Sequence, residues 1–379
     1  MSAASELVVY FDEVFIEHEA PDGAYHFPPH DLLAVTEPHP DRPERLINIR
    51  HAIKRALADV TTWEAVVPAT SAHLERVHEV EYLAYLKQRS AEGSGRLNPA
   101  TGVNEATFEA ARHATGAAIQ TAERALTGGP DEVPYALVRP SGHHAQPATA
   151  DGYCYLNNLA VAAAHARATG RAERIAIVDW DVHHGNGTQE IFYDRSDVLT
   201  ISVHNDFGAW GPHHPQTGRA NEQGVGEGIG YNVNVPVPPG TGDRGYAYVF
   251  DAIVEPILEV FEPELLLVGA GQDSGQIDPN GRNLLTKEGF HDLGCRMREL
   301  AAHCAGGSLG IVQEGGYQLS HLPFGTLGVL EGVLNVDTGV EDPFTLLEEY
   351  LPPVETWTRE AGAIHAHHWP LQFDPASDK

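Results

Sequence analysis

Short apolar runs recur along the chain and carry most of its structural information. They occupy residues 7–11 (LVVYF), 135–138 (YALV), 174–179 (RIAIVD), 198–204 (VLTISVH), 265–270 (LLLVGA) and 309–313 (LGIVQ). Runs of this length, rich in Val, Ile and Leu, predict strands covered on both faces. Between them lie longer stretches rich in Ala and Glu, clearest at 106–126 and 159–169 with a similar one at 246–260, which predict helices. Strand and helix in alternation predict an α/β fold, a parallel sheet with helices on both faces. Pro and Gly are spread throughout and no repeat, linker or low-complexity segment stands out, so residues 1–379 read as a single domain.

In open parallel sheets, ligands bind beyond the carboxyl ends of the strands. The residues after each run are therefore where chemistry is expected. Run 135–138 is followed by Arg139-Pro140-Ser141-Gly142-His143-His144, and run 174–179 by Trp180-Asp181-Val182-His183-His184-Gly185-Asn186-Gly187. Run 265–270 is followed by Gly271-Gln272-Asp273, and run 309–313 by Glu314-Gly315-Gly316-Tyr317. Asp179, Asp181 and His183 alternate along an extended segment, a spacing that turns all three to one side. Carboxylate with imidazole is a ligand set for zinc or another divalent metal, and Asp273 is the natural ligand from elsewhere. Two carboxylates and one His leave a position open for water and substrate. The competing reading makes Asp179 and Asp181 helix caps and the histidines buried structural residues. His143 and His144, being adjacent, can line one pocket only from a loop, where they can exchange protons near neutrality. Paired glycines at 315 and 316 let the backbone bend sharply, and a Tyr317 held there can donate its hydroxyl to a developing oxyanion.

Composition narrows the partners. Apolar residues are 42% and charged residues 20% of the chain, a globular balance. Lys and Arg number 24 against 53 Asp and Glu, for a net charge of −29. That charge argues against binding nucleic acid through its phosphates and against an anionic membrane surface, and it attracts cationic ligands. Three cysteines, Cys154, Cys295 and Cys304, with no CxxC pair, exclude a disulfide framework and a Cys-rich zinc site. The opening MSAASELVVYFDEVFIEHE lacks a basic start and is interrupted by acids, so no signal peptide is expected, and no apolar run approaches a membrane span. A cytoplasmic location is the expectation.

Taken together, PSGHHA, DGYCYLNN, IVDWDVHHGNGTQ, the Asp273 segment and EGGY resemble the histone deacetylase family of zinc amidohydrolases, most closely its class II and bacterial deacetylase-like branch. His39-Pro40 and Pro43-Glu44-Arg45-Leu46 resemble the family's N-terminal segment. The resemblance implies the arginase/deacetylase fold, with a mostly parallel eight-stranded sheet, one Zn²⁺ per chain and structural K⁺. By that resemblance Asp181, His183 and Asp273 match the zinc ligands, and His143 and His144 the paired catalytic histidines. Asp179 matches the carboxylate behind His143, Asn186 the partner of His144, and Tyr317 the tyrosine that polarises the substrate carbonyl. Gly152, Tyr153 and Gly315 match the substrate tunnel, with Trp210 as its second wall and Asn280 at its gate. Asp179, Asp181, His183, Ser202 and Val203 match an inner potassium site, and Phe192, Arg195, Val198 and Tyr231 an outer one.

Several departures from the family pattern bear on substrate. Gln272 stands where an aromatic or small residue is common, and Asn280 is neither the apolar residue of many protein deacetylases nor the Glu of the polyamine-selective kind. The loop at 206–218 (DFGAWGPHHPQTG) is long and His-rich, and residues 93–104 contain no Asp to clamp a peptide backbone. The expectation is hydrolysis of the N-acyl amide of a small acetylated amine, such as an acetylpolyamine or acetyl-lysine, with protein lysine deacetylation as the alternative. A binuclear manganese hydrolase resembling arginase needs a second Asp-x-Asp pair, whereas Gln272-Asp273-Ser274-Gly275 supplies one Asp. An inactive acyl-ligand binder should have lost a ligand or the Tyr, and none is lost. Self-association into a homo-oligomer is left open.

Overall fold

The computed structural model describes residues 5–23, 30–129, 131–206, 217–344 and 352–371. In chain order the strands are β1 (Glu6–Tyr10), β2 (Thr61–Glu64), β3 (Gly95–Arg96), β4 (Gly102–Val103) and β5 (Glu132–Ala136). They continue with β6 (Ile175–Asp179), β7 (Val198–Asn205), β8 (Asn232–Val237), β9 (Leu265–Ala270) and β10 (Leu309–Gln313). Eight of them form one sheet in the order β2-β1-β5-β10-β9-β6-β7-β8, and every neighbouring pair is parallel. The sheet is thus wholly parallel where the resemblance implied mostly parallel. β3 and β4 make a separate antiparallel hairpin. All residues of β6, β7, β9 and β10 are buried, as strands covered on both faces require.

Two edge strands escape the hydrophobic pattern. β2 (TTWE) alternates between half-buried and exposed positions. β8 (NVNVPV) carries two buried asparagines whose amides both donate to Gln189 Oε1 at 2.8 Å, and its Pro236 is tolerated because an edge strand leaves one side without ladder bonds.

The helices predicted at 106–126 and 159–169 form as Thr107–Thr127 and Asn158–Ala168. They pack against each other, joined by the Thr115 hydroxyl donating to Asn158 Oδ1 at 2.9 Å, and both are rich in buried alanines. The helix predicted at 246–260 is interrupted. Asp243–Val249 and Glu255–Phe261 are joined by a wide turn, Phe250–Val254, in which the Glu255 N–H donates to the Phe250 carbonyl. Pro256 explains it, since its ring crowds the carbonyl four residues back and it has no N–H to give. Lys287–Cys304 and Leu322–Leu334 cross at close range because they meet at glycine. A Cβ on Gly294 would lie 2.3 Å from the Val329 carbonyl oxygen. A buried Lys287–Glu331 pair at 2.6 Å ties the same two helices.

Candidate active site

The four strands followed by candidate chemistry, β5, β10, β9 and β6, are consecutive in the sheet, so their carboxyl ends lie side by side. Asp181, His183 and Asp273 converge there, fully buried, with ligand atoms within 4.8 Å of one another. His183 Nδ1 lies 2.9 Å from Asp181 Oδ1 and 3.0 Å from Asp273 Oδ2. The neighbouring backbone closes in on these carboxylates. The Gly315 N–H donates to Asp181 Oδ2 at 2.8 Å. A Cβ on Gly315 would lie 2.3 Å from Asp273 Oδ2, and one on Gly271 2.3 Å from Asp181 Oδ2, so both positions require glycine. Two buried carboxylates facing one imidazole are costly unless a cation sits among them. Carboxylate and imidazole donors suit a divalent metal such as zinc.

Asp179 does not join the Asp181, His183 and Asp273 cluster as alternation along the chain suggested, and lies instead behind His143, as the resemblance implied. It closes β6. Its Oδ2 lies 2.8 Å from His143 Nδ1, and its Oδ1 accepts the Asp181 N–H at 3.0 Å. The capping alternative is not realised either. The helix Asn186–Phe192 begins after Gly185 with no side-chain cap. His143 and His144 sit in a loop with ring centroids 4.0 Å apart. Burial opposes a charge on His143, but Asp181 and Asp179 outweigh it and hold its pKa well above the ordinary value. His144 Nδ1 is 2.5 Å from Asn186 Oδ1, a neutral partner.

Tyr317 follows Gly316, whose φ of +116° makes the turn that presents it. Its ring meets Tyr153 edge-on at 5.7 Å, and His39 in turn meets Tyr153 at 4.6 Å. Burial keeps the Tyr317 hydroxyl protonated, pushing its pKa well above the ordinary value despite the Arg45 guanidinium 4.5 Å over its ring. Gly152 and Tyr153 adopt left-handed φ values of +49° and +69°. A Cβ on Gly152 would strike the His144 ring at 2.2 Å.

Several residues that shape the site have no role assigned from sequence. Arg45 lies fully buried beneath Tyr317, pairing with Asp41 and donating to the carbonyls of Gly316 and, at 2.8 Å, Glu314. Arg139 donates to Asp41 Oδ1 at 3.1 Å and to its carbonyl at 2.7 Å. Burial disfavours the Asp41 charge, but Arg139 and Arg45 outweigh it and hold this carboxylate far below its usual range. Asp41→Ala leaves two guanidiniums uncompensated, and should cost about 3–5 kcal/mol in urea denaturation of the intact protein. Asp278 Oδ2 accepts the N–H groups of Tyr317 (2.6 Å) and Gln318 (3.1 Å), while Oδ1 accepts that of Asn280 (2.8 Å), clamping two loops together. Glu314, pushed up to about 8 by burial, accepts the N–H of Gly142 at 2.8 Å and so joins the histidine loop to the Tyr317 loop. Buried acids next to strand-end loops were the available signal, but Asp41, Asp278 and Glu314 do not betray their distant partners.

Gln272 is buried. Its Oε1 accepts from Gln313 Nε2 at 2.6 Å, and Gln313 Oε1 accepts from Tyr135, so Gln272 belongs to a buried network. Asn280 is 3% exposed, and neither polar atom of its carboxamide has a hydrogen-bond partner among the described residues. Ser202 pairs in register with Asp179, with Val203 next to it on β7. Phe192 and Arg195 share one turn leading into β7, where Val198 begins the strand and the Tyr231 carbonyl accepts the Thr200 N–H at 2.9 Å. Trp210, like His213 and His214, lies outside the described residues. Among the described residues no helix is long and apolar enough to cross a membrane.

A family model described as the histone deacetylase domain matches residues 39–333. Histone deacetylase 8 of Arabidopsis thaliana is 38% identical over 346 residues, covering 90% of this chain and 91% of that protein. Polyamine deacetylase HDAC10 of Homo sapiens is 36% identical over 342 residues, covering 87% of this chain and 49% of that protein. The solved HDA15 HD domain superposes with a TM-score of 0.83 at 33% identity, covering 97% of this chain and 96% of that one. The wholly parallel sheet, the buried acid and histidine cluster at its carboxyl edge and these likenesses agree, and the chain belongs to the histone deacetylase family, whose members are generally zinc-dependent deacetylases.

Proposed function

We propose that this chain is a zinc-dependent deacetylase that hydrolyses the N-acetyl amide of a small acylated amine. The observation that carries this reading is the convergence of Asp181, His183 and Asp273 beside the His143–His144 pair. Asp181, His183 and Asp273 would hold the zinc, which when bound supplies Lewis acidity to the amide carbonyl and acidifies the attacking water. The other steps belong to side chains. His144, backed at Nδ1 by Asn186, offers Nε2 to take a proton from the attacking water and to return it to the departing amine nitrogen. His143, kept cationic by Asp179 and Asp181, stabilises negative charge developing in front of it. Tyr317 donates its hydroxyl to the carbonyl oxygen as that oxygen gains charge. The strand-end groups around Asp179, Ser202 and Val203, and those around Phe192, Arg195, Val198 and Tyr231, would hold structural K⁺.

The choice of a small substrate rests on the rim. Within residues 93–104 the side chain of Asn98 turns inward, donating to the Ala150 carbonyl at 2.7 Å and accepting the N–H groups of Ala100 and Thr101. Ala100 then packs against Tyr153 and Tyr317, offering no carboxylate to a peptide backbone. The carboxamide of Asn280, unpartnered among the described residues and held near Tyr317 by Asp278, favours a substrate with a polar group in its amine portion. The net charge of −29 draws in cationic amines, less so at high salt.

Zinc-loaded protein should turn over N-acetylputrescine or N-acetylspermidine with kcat/KM at least equal to that for an acetyl-lysine peptide. A ratio below about 0.1 with robust peptide turnover would instead establish the protein lysine deacetylase reading, toward which the likeness to Histone deacetylase 8 points.

A further inference from the structure

We propose that Asp151 is a positioning residue that sets the tautomer of His144 by way of Asn186; the inference rests on the hydrolytic reading above. The two adjacent histidines are backed differently. Asp179 approaches His143 Nδ1 directly as a carboxylate, at 2.8 Å, whereas His144 Nδ1 faces an amide, Asn186, at 2.5 Å. A carboxylate can only accept, so it holds a proton on the Nδ1 it faces. An amide can do either. Its oxygen accepts from an Nδ1–H, leaving Nε2 with a lone pair, while its NH₂ donates to a bare Nδ1 and puts the proton on Nε2. Only the first arrangement lets His144 act as a base at Nε2.

The far end of the amide decides between them. Asn186 Nδ2 lies 3.4 Å from Asp151 Oδ2, and since a carboxylate accepts only, it selects the NH₂ end and turns the oxygen toward His144. Asp151 is itself fixed. Its Oδ1 accepts the Gly152 N–H at 3.0 Å, and its backbone N–H and carbonyl pair with Cys154 at 3.0 and 2.7 Å. It is 7% exposed, and burial raises its pKa only to about 6, which leaves it a carboxylate at neutral pH. The two left-handed residues that follow, Gly152 and Tyr153, bring this turn against the His144 ring. One short turn therefore supplies both a wall beside Tyr317 and the carboxylate that orders a proton two side chains away.

The experiment compares zinc-loaded parent, D151N and the double variant D151N/N186D. The isosteric D151N can still accept the Gly152 N–H but presents an amide of either orientation to Asn186. It should keep one metal per chain and a KM within twofold of the parent, with kcat lowered about tenfold. The ¹⁵N spectrum of His144, assigned by difference with His144→Gln, should change from the Nδ1–H tautomer alone to a mixture. In the double variant the new amide at position 151 donates to the new carboxylate at position 186, which accepts from His144, and kcat should recover at least threefold over D151N. A D151N protein with kcat within twofold of the parent, with an unchanged tautomer, or with a raised KM at unchanged kcat overturns the proposal. So does one that fails to fold or to hold metal, because the role is then structural, and so does a double variant that recovers nothing. A parent that hydrolyses no N-acetyl amine would sink the hydrolytic reading alone, and the tautomer comparison would still decide this one.

Discussion

Asp181→Ala and His183→Ala should each lose metal and activity together. Each change deletes one of three protein donors, and no other Asp, Glu, His or Cys among the described residues forms part of that cluster to replace it. Metal analysis of the purified variants should find well under one zinc per chain, with turnover at background. Full zinc occupancy in both would overturn the ligand assignment. The same donors make affinity depend on pH with a defined sign. Protons and the dication compete for them. Burial and the facing Asp181 carboxylate push Asp273 up to about 7, and Asp273 with Asp181 pushes His183, against its burial, up to about 9. Both groups must lose protons to bind zinc, so zinc binding releases protons and its affinity rises with pH until about 9. Below about 7 a second proton competes, at Asp273, and affinity should fall more steeply. A competition titration with a zinc chelator between pH 6 and 9 would reveal the slope, and a flat profile would contradict it.

Tyr317→Phe should keep the metal and lower kcat by roughly 10²–10³-fold, the usual loss on removing one oxyanion donor. The ring stays in place in this variant. It is held by its contact with Tyr153, by the Arg45 guanidinium over its face and by the Asp278 carboxylate on its backbone N–H. The hydroxyl alone is removed, so KM should move little while kcat falls, the signature of an interaction made in the transition state. Turnover within threefold of the parent, with zinc present at full occupancy, would remove Tyr317 from the mechanism.

How far the sequence reaches is plain at particular residues. Runs such as LLLVGA and LGIVQ become β9 and β10 with unchanged limits, because a contiguous stretch of branched apolar residues is a local property that tertiary packing reinforces. The strand ends likewise announce Asp181, His183, Asp273, His143 and Tyr317, since a parallel sheet brings the residues after its strands to one edge. The edge strand β8 stayed hidden, because its asparagines are satisfied by Gln189, 43 and 45 residues away.

Side-chain direction and pairing over long separations are not written in local spacing. Local alternation groups Asp179 with Asp181 and His183, whereas its carboxylate meets His143, 36 residues earlier, a pairing that only the family resemblance implied. Gln272, one residue before a candidate ligand, accepts a hydrogen bond from Gln313, 41 residues later at the end of the adjacent strand. Arg45 meets Gly316 across 271 residues, and nothing in the local spacing of either encodes that contact. The sequence by itself determined six strands of the main sheet, β1, β5, β6, β7, β9 and β10, and which edge of that sheet carries the chemistry, because contiguous apolar runs and strand-end residues are written in consecutive positions. The buried Asp41–Arg45–Arg139 cluster, the Asp278 clamp on Tyr317 and the Asp151–Asn186–His144 chain were decided by the tertiary structure, because each is a charge or amide whose partner is chosen by close packing between segments far apart in the chain.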